Sequence, residues 1–250
     1  MGATDGDIGH VKDFYFDDKQ WVIRYLVVEA GLWLMSKKVL ISPISIKDLD
    51  WIGTTIELSI TKDQVKNSPD MDTDRPISRQ AEIDYLGYYS YPSYWGNMGL
   101  WGVYSSPYMI APGYSSIAPQ PDEAEFEVDE FARVDTALIQ EQDRHLRSHH
   151  AVIDYHLEAK DGDLGHVQGM LIDIDTWAIR YLIINTSNWW LGHLVLIAPT
   201  WISEVSWPYA KMYVGLTQQQ IKDAPVYDPA VPFNREDEKS LSRYYGNNEE

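Results

Sequence analysis

The chain has 250 residues, 44% of them apolar, no cysteine, and a formal charge of −18. That length suits two domains of ordinary size, each with enough apolar residues to bury a core. The lack of thiols excludes disulfides, iron–sulfur clusters, thiolate zinc sites and a cysteine nucleophile, and fits a reducing compartment. The acidity favours solubility and repels polyanions, which disfavours nucleic acid as a partner. No run reaches the ~18 apolar residues that span a bilayer, so no transmembrane segment is expected. Met1 to Gly9 lacks the charged and apolar regions of a signal peptide. The expectation is a soluble, cytoplasmic protein, with Met1-Gly2 readable either as native or as an expression remnant.

In chain order, Gly6 and Gly9 bracket a tight turn suited to positive φ or close backbone approach. Val11 to Phe16 reads as a strand, and Asp17-Asp18-Lys19-Gln20 as a polar turn. Trp21 to Glu29 is rich in β-branched and aromatic residues, a strand signal. Lys38 to Ile41 is a further strand, stopped by Pro43, which cannot donate to a ladder. Thr55 to Ile60 alternates as a last strand, and Thr61 is placed to cap a short helix that ends before Pro69.

This pattern occurs twice. Asp5-Gly6-Asp7-Ile8-Gly9-His10-Val11 returns 156 positions later as Asp161-Gly162-Asp163-Leu164-Gly165-His166-Val167. The register holds without a gap for about 65 residues, roughly a third of them identical. Trp21 to Leu26 meets Trp177 to Leu182, and Trp33 meets Trp189. Val39 to Pro43 meets Val195 to Pro199, and Trp51 meets Trp207. Thr61, Gln64, Lys66 and Pro69 meet Thr217, Gln220, Lys222 and Pro225.

The glycine turn with Gly6, Asp7 and Gly9, the turn residue Asp17, the Trp-x-Ile-Arg-Tyr-Leu strand with Arg24 and the Val-Leu-Ile-x-Pro strand together resemble the PRC-barrel family. Gly162, Asp163, Gly165, Asp173 and Arg180 repeat the motif. That family includes the cytoplasmic part of the photosynthetic reaction-centre H subunit and the C-terminal domain of a ribosome-maturation factor. The tandem PRC-barrel proteins of bacteria are the most similar in layout. The resemblance covers residues 3–70 and about 150–228, and implies an interaction module, not a catalyst. Short strands and tight turns also suit a small closed barrel. The expected fold is therefore mainly β: two small PRC-type β-barrels with a long aromatic linker and short helices.

The expected layout is a first barrel at 1–70, an aromatic linker at 71–128, a helix at 129–147, a second barrel at 148–228 and a tail at 229–250. Ala151 to Glu158 alternates as an opening strand for the second copy, whereas the first copy starts at Ala3 and lacks an evident equivalent. An unpaired edge is a liability, so the linker or a second subunit is expected to supply the missing strand. Between the copies, Tyr85 to Tyr114 is dense in Tyr and Trp among Gly, Pro and Ser, with almost no charge. Such a segment is either a flexible linker or an adhesive arm. Buried aromatics gain about 2–3 kcal/mol each, which favours docking, at least partly within the protein. Tyr88, Tyr91, Tyr94, Trp95, Trp101 and Tyr104 are the candidate partner-binding residues. Asp129 to Arg147 has helical spacing, and Asn234 to Tyr245 reads as a short polar helix, with fraying from Asn247.

Chemistry-bearing clusters are sparse. His145, His149, His150 and His156 gather before the second copy, but adjacent histidines point apart on a helix or strand, so a solvated junction competes with a metal site. His10 and His166 are turn histidines open to a pH or ligand role. Asp7, Asp17 and Arg24, with Asp163, Asp173 and Arg180, could do acid–base work. A mid-strand Arg compensated by an Asp explains them better, and truncating Arg24 and Arg180 is then expected to lower thermal stability. There is no Walker loop, dinucleotide fingerprint, zincin motif or nucleophile elbow. No catalytic, cofactor-binding or metal residue is therefore assigned.

The function expected is a non-catalytic scaffold or regulatory interaction protein with a protein partner, open to homo-oligomerisation. Alternatives are a regulator of membrane-associated electron transfer, an RNA-processing or ribosome accessory protein, and a small-ligand or metal sensor.

Overall fold

A computed structural model describes residues 1–50, 52–69, 77–95, 99–110, 145–186 and 193–246. The chain divides into two units, Met1–His150 with Ile174–Ala178, and Ala151–Asp173 with Ile179–Glu250. The structure is mainly β. Trp51, Tyr114, Trp189, most of the 129–147 helix and the tail from Asn247 lie outside the described residues.

In the first unit the strands are β1 (Gly2–Ala3), β2 (Gly6–Asp7), β3 (Gly9–Asp17), β4 (Val22–Ala30), β5 (Lys38–Ile41), β6 (Ile46–Asp50) and β7 (Thr55–Leu58). Helices α1 (Lys62–Lys66) and α2 (Arg79–Tyr89) follow, then β8 (Leu146–Ser148) and the start of α3 (His149–Val152). Two four-stranded sheets form, in the orders β2-β1-β7-β6 and β5-β4-β3-β8. The β3–β4 hairpin turns at Asp17, whose Oδ1 accepts from the backbone N–H of Lys19 at 2.8 Å and Gln20 at 3.3 Å. This is the local side-chain bond that suits Asp to turns. Trp21 completes the turn at φ +56°. Strand β6 was not anticipated, because Lys47, Asp48 and Asp50 give it a charged, exposed face. It is an edge strand, where charge discourages further pairing.

The second unit has β9 (His156–Ala159), β10 (Gly162–Ile172), β11 (Ile179–Asn185), β12 (Leu194–Ile197), β13 (Ile202–Ser206) and β14 (Lys211–Val214). Helices α4 (Gln218–Lys222) and α5 (Arg235–Gly246) follow. The strands form one sheet, β12-β11-β10-β9-β14-β13, in which β14 and β9 run parallel. Its core includes Leu157, Val167, Leu182, Ile184, Ile197, Met212 and Ile221, all buried. Among the described residues all three sheets are open, and no closed barrel is formed by the strand pairing.

The two copies repeat each other in detail. Thr61 and Thr217 each form a capping box with Gln64 and Gln220. Asp5 Oδ1 accepts from Lys62 N at 2.8 Å, and Asp161 Oδ1 from Gln218 N at 2.7 Å. Trp177 has φ +60°, matching Trp21. Gly9 and Gly165 have φ +155° and +131°, and a Cβ there would lie 1.9 Å from Glu29 O and 2.0 Å from Asn185 O. Only glycine fits such a strand crossing. Gly9→Ala is expected to cost roughly 2–3 kcal/mol in chemical denaturation, from backbone strain and the clash. Gly2→Ala, with open space around its Cβ position, serves as a control that changes stability by less than about 0.5 kcal/mol.

Three expectations need correction. The opening strand of the first copy is present: β1 pairs Gly2 with Asp7 and Ala3 with Gly6, and runs parallel to β7 through Gly2 and Glu57. This is the register of β9 with Gly162, Asp163 and β14. Two residues were too few to show alternation, whereas the backbone needs only a short pairing there. Second, Ala151 to Glu158 is not one strand; α3 ends at Val152 and β9 begins at His156. Third, Leu146 and Arg147, expected in a helix, lie in β8, which pairs with β3 from Tyr15↔Ser148 to Asp17↔Leu146. A separate segment therefore does extend the β3 edge, away from the stretch where the sequence suggested a gap.

Candidate functional site

Part of the aromatic segment folds into the core of the first unit. Ser78 caps α2 by accepting from Ala81 N at 3.2 Å. Ala81, Tyr85 and Tyr89 then recur every fourth residue, one face of a helix. Tyr85 is 1% exposed and packs with Tyr15, Tyr25, Val27, Leu40, Ile77, Leu86 and Leu146. Its hydroxyl accepts from Ser42 N at 3.0 Å and donates to Leu40 O at 3.2 Å, tying α2 to β5. Farther along, Trp101 is buried and its Nε1 donates to Thr176 O at 2.7 Å. Tyr108 Oη donates to Ile174 O and accepts from Trp177 Nε1, with Ile174–Ala178 belonging to the same unit.

Of the candidate partner-binding residues, Tyr94 and Trp101 are buried, and Tyr91, Trp95 and Tyr104 are half-buried. Tyr91 Oη bonds Ser45 Oγ at 2.8 Å, and Tyr88, the exposed member, donates to Gln64 O at 3.0 Å.

These aromatics enclose a polar cluster. Arg24, mid-β4, is 1% exposed. Its guanidinium donates to Leu100 O at 2.6 Å and to Gln20 Oε1, and lies 3.5 Å from Asp17 Oδ2. It stacks 3.8 Å from the Tyr94 ring centroid and 4.9 Å from that of Trp101, a cation–π arrangement that strengthens when water is excluded. Burial draws the Arg24 pKa below its ordinary value, opposed by neighbours that include Asp17.

Beside it, Glu82 of α2 is fully buried. Its Oε1 accepts from Tyr94 Oη at 2.6 Å and Tyr25 Oη at 3.2 Å; its Oε2 lies 3.1 Å from Arg79 Nη1 and 2.9 Å from His145 Nε2. Tyr94 Oη also lies 2.9 Å from His145 Nε2. Leaving His145 aside, two cations meet two anions, so the charges of this interior cancel. Burial, with the carboxylate of Glu82 added, pushes Tyr25 and Tyr94 well above the ordinary phenol range. Burial does the same to Tyr85. Glu82 and Arg79 went unnoticed in the sequence and Gln20 was read only as part of a polar turn, because a charged or amide side chain gives no local sign of its burial.

The second copy uses the same residues differently. Arg180 is exposed and pairs with Glu238 of α5 across 2.5 Å. That hydrogen bond raises its pKa. Asp7 is exposed near the Met1 ammonium, at 3.9 Å, and Asp163 Oδ1 accepts from Gly165 N at 3.4 Å. Asp173 is half-buried in the β10–β11 turn region.

The four clustered histidines part company. His145 joins Glu82, His156 is exposed on β9, and His149 and His150 lie beside Asp13 of β3. Burial lowers the His149 pKa, with Asp13 opposing. His10 is exposed and His166 half-buried. Gly6, Gly9, Gly162 and Gly165 all take positive φ. Among the described residues no helix is long and apolar enough to cross a membrane.

An uncharacterized protein of Deinococcus radiodurans is 34% identical over 79 residues, 32% of this chain and 28% of the relative. The chain thus matches little more than a quarter of that relative's length. Residues 1–65, the stretch that holds β1 to β7, match the family model of the PRC-barrel domain, and the first unit therefore contains a PRC-barrel domain at those positions.

Proposed function

We propose that this chain is a non-catalytic interaction protein built from two PRC-type domains, the second at about 150–228. The matched capping boxes, glycine crossings and strand registers of the two copies support the tandem reading. The observation that carries the interaction reading is the loop between β4 and β5. Leu32 and Met35 are 93% and 94% exposed there. The loop is a 3-10 turn over Leu32–Leu34, and Met35 and Ser36 are left-handed at φ +53° and +57°. Single exposed apolar residues are ordinary, but two within four residues on a tight turn form a small adhesive tip. In the second copy the corresponding residues are Asn188-Trp189-Trp190-Leu191, with a polar Asn in place of Leu32 and three apolar residues after it. The polar cluster around Arg24 and Glu82 is enclosed, which suits a structural task better than turnover of a substrate.

The test compares the wild-type chain with a Leu32→Ser/Met35→Ser double variant by light scattering and by quantitative affinity capture. Self-association or a reproducible bound protein is expected to drop at least tenfold, with the melting temperature unchanged because neither side chain is buried. Equal capture by both proteins rejects the tip as the contact. Absence of both self-association and reproducible capture in the wild type rejects the interaction reading.

A further inference from the structure

We propose that Asp13, His149 and His150 form a binding site for a first-row transition-metal dication of the zinc class. All three residues belong to the first unit. Strand β8 runs antiparallel to β3, with Tyr15 opposite Ser148. The chain leaves β8 directly into His149 and His150, so the pairing brings both histidines to the face carrying Asp13. One ligand atom from each residue lies within 4.8 Å of the others. His150 Nδ1 is 3.1 Å and His149 Nδ1 3.9 Å from Asp13 Oδ1.

Metal–ligand bonds of about 2.0–2.2 Å hold neighbouring donor atoms at roughly 3–3.5 Å, so only small side-chain rotations separate this arrangement from a coordinating one. The surroundings already orient the donors. Asp13 accepts from Phe14 N at 2.8 Å, His150 N at 3.2 Å and Ser148 Oγ at 2.5 Å. The ring of His149 stacks on Phe14 at 4.5 Å between centroids. Such outer contacts commonly fix ligand orientation. His150 has a side chain 70% exposed, leaving room for the movement required.

Two imidazoles and one carboxylate favour borderline dications such as Zn²⁺, Co²⁺, Ni²⁺ or Cu²⁺ over Mg²⁺ and Ca²⁺, which prefer oxygen donors. Three protein ligands leave a position for water or an outside donor. A cleft of about 410 Å³, lined by Lys12, Asp13, Tyr15, Val27, Glu29, Lys38 and His150, gives that position an approach.

The repeat itself indicates that the PRC-type fold does not require this carboxylate. The residue 156 positions after Asp13 is Gly169, and Gly169 pairs with Ile183 as Asp13 pairs with Val27. Asp13 is therefore a departure from the shared pattern, located where the two histidines arrive. Fastening β8 to β3 through Ser148 needs the aspartate but neither imidazole.

The test uses the full chain, tag-free and stripped with a chelator, titrated with Co²⁺ and then Zn²⁺. One equivalent of Co²⁺ is expected to bind with visible d–d bands, to be displaced by Zn²⁺, and to raise the melting temperature. His150→Gln, at an exposed position, is expected to fold normally and to weaken binding at least tenfold. Asp13→Asn and His149→Gln are expected to do the same, whereas His156→Gln and His166→Gln leave binding intact. Failure of the wild type to bind Co²⁺ or Zn²⁺ below millimolar concentration overturns the proposal. Binding that survives His150→Gln and Asp13→Asn undiminished also overturns it, because the ion then sits elsewhere.

Discussion

Arg24→Met is expected to destabilise the first unit by about 3–5 kcal/mol, the usual loss when one partner of a buried, hydrogen-bonded charge pair is removed. Methionine keeps much of the stem volume but strands several groups. The Asp17 carboxylate loses its cation at 3.5 Å, the Leu100 carbonyl and Gln20 lose their donor, and Tyr94 and Trp101 lose the charge stacked between them. The equivalent change in the other copy, Arg180→Met, is expected to cost no more than about 1 kcal/mol, because its pair with Glu238 is open to solvent. In calorimetry the first variant should lower its transition by on the order of 10 °C and the second by about 2–4 °C or less. Equal shifts would contradict the difference in burial between the two arginines. A Glu82→Gln variant combined with Arg24→Met in a double-mutant cycle then reports whether the two ion pairs act as one network.

Raising the pH is expected to unfold the first unit abruptly. Tyr25, Tyr85 and Tyr94 are buried, and burial holds all three well above the ordinary phenol range, helped by Glu82 at Tyr25 and Tyr94. Their folded pKa values lie above the unfolded value of about 10. The stability they contribute is therefore fully present below pH ~10 and lost as pH rises toward the folded values. Each costs about 1.4 kcal/mol per pH unit beyond 10, so the three together remove about 4 kcal/mol by pH 11. Tyr89 and Tyr91 are shifted upward too, again by burial. Absorbance of tyrosinate, followed together with circular dichroism between pH 9 and 12, checks this. A late, cooperative rise coincident with loss of structure is expected. Smooth titration of all 17 tyrosines near pH 10 with the fold intact would show that they are not enclosed.

Both effects depend on the aromatic segment packing against β4, and in that segment sequence and tertiary structure diverge most. Its composition of Tyr, Trp, Gly and Pro left a flexible linker open and favoured docking within the protein, but it gave no sign that α2 is a capped helix with Ala81, Tyr85 and Tyr89 on one face. That four-residue spacing was present in the sequence but masked by Gly87 and the neighbouring Tyr88 and Tyr91. Two of the aromatics suited to holding a partner, Tyr94 and Trp101, instead hold Arg24, and Tyr94 also holds Glu82. The exposed Leu32 and Met35 of the β4–β5 tip, on which the proposed interaction rests, carry no polar motif and so drew no notice in the sequence.

The sequence by itself determined the repeat and, through it, the local structure. Asp17 turns its hairpin through its own carboxylate, Thr61 and Thr217 cap their helices through Gln64 and Gln220, and Gly9 and Gly165 occupy crossings with no room for a Cβ. These interactions run over a few residues or across one strand pair, so spacing alone reveals them. Tertiary structure decided what the same residue types do in each copy. Arg24 and Arg180 share one local motif, but burial depends on distant segments: Tyr94, Leu100 and Trp101 enclose the first, while Glu238 meets the second at the surface. The association of Asp13 with His149 and His150 likewise spans more than 130 positions and rests on β8 joining β3. Charge compensation and metal-ligand convergence depend on distances in space, and no periodicity in the chain encodes those.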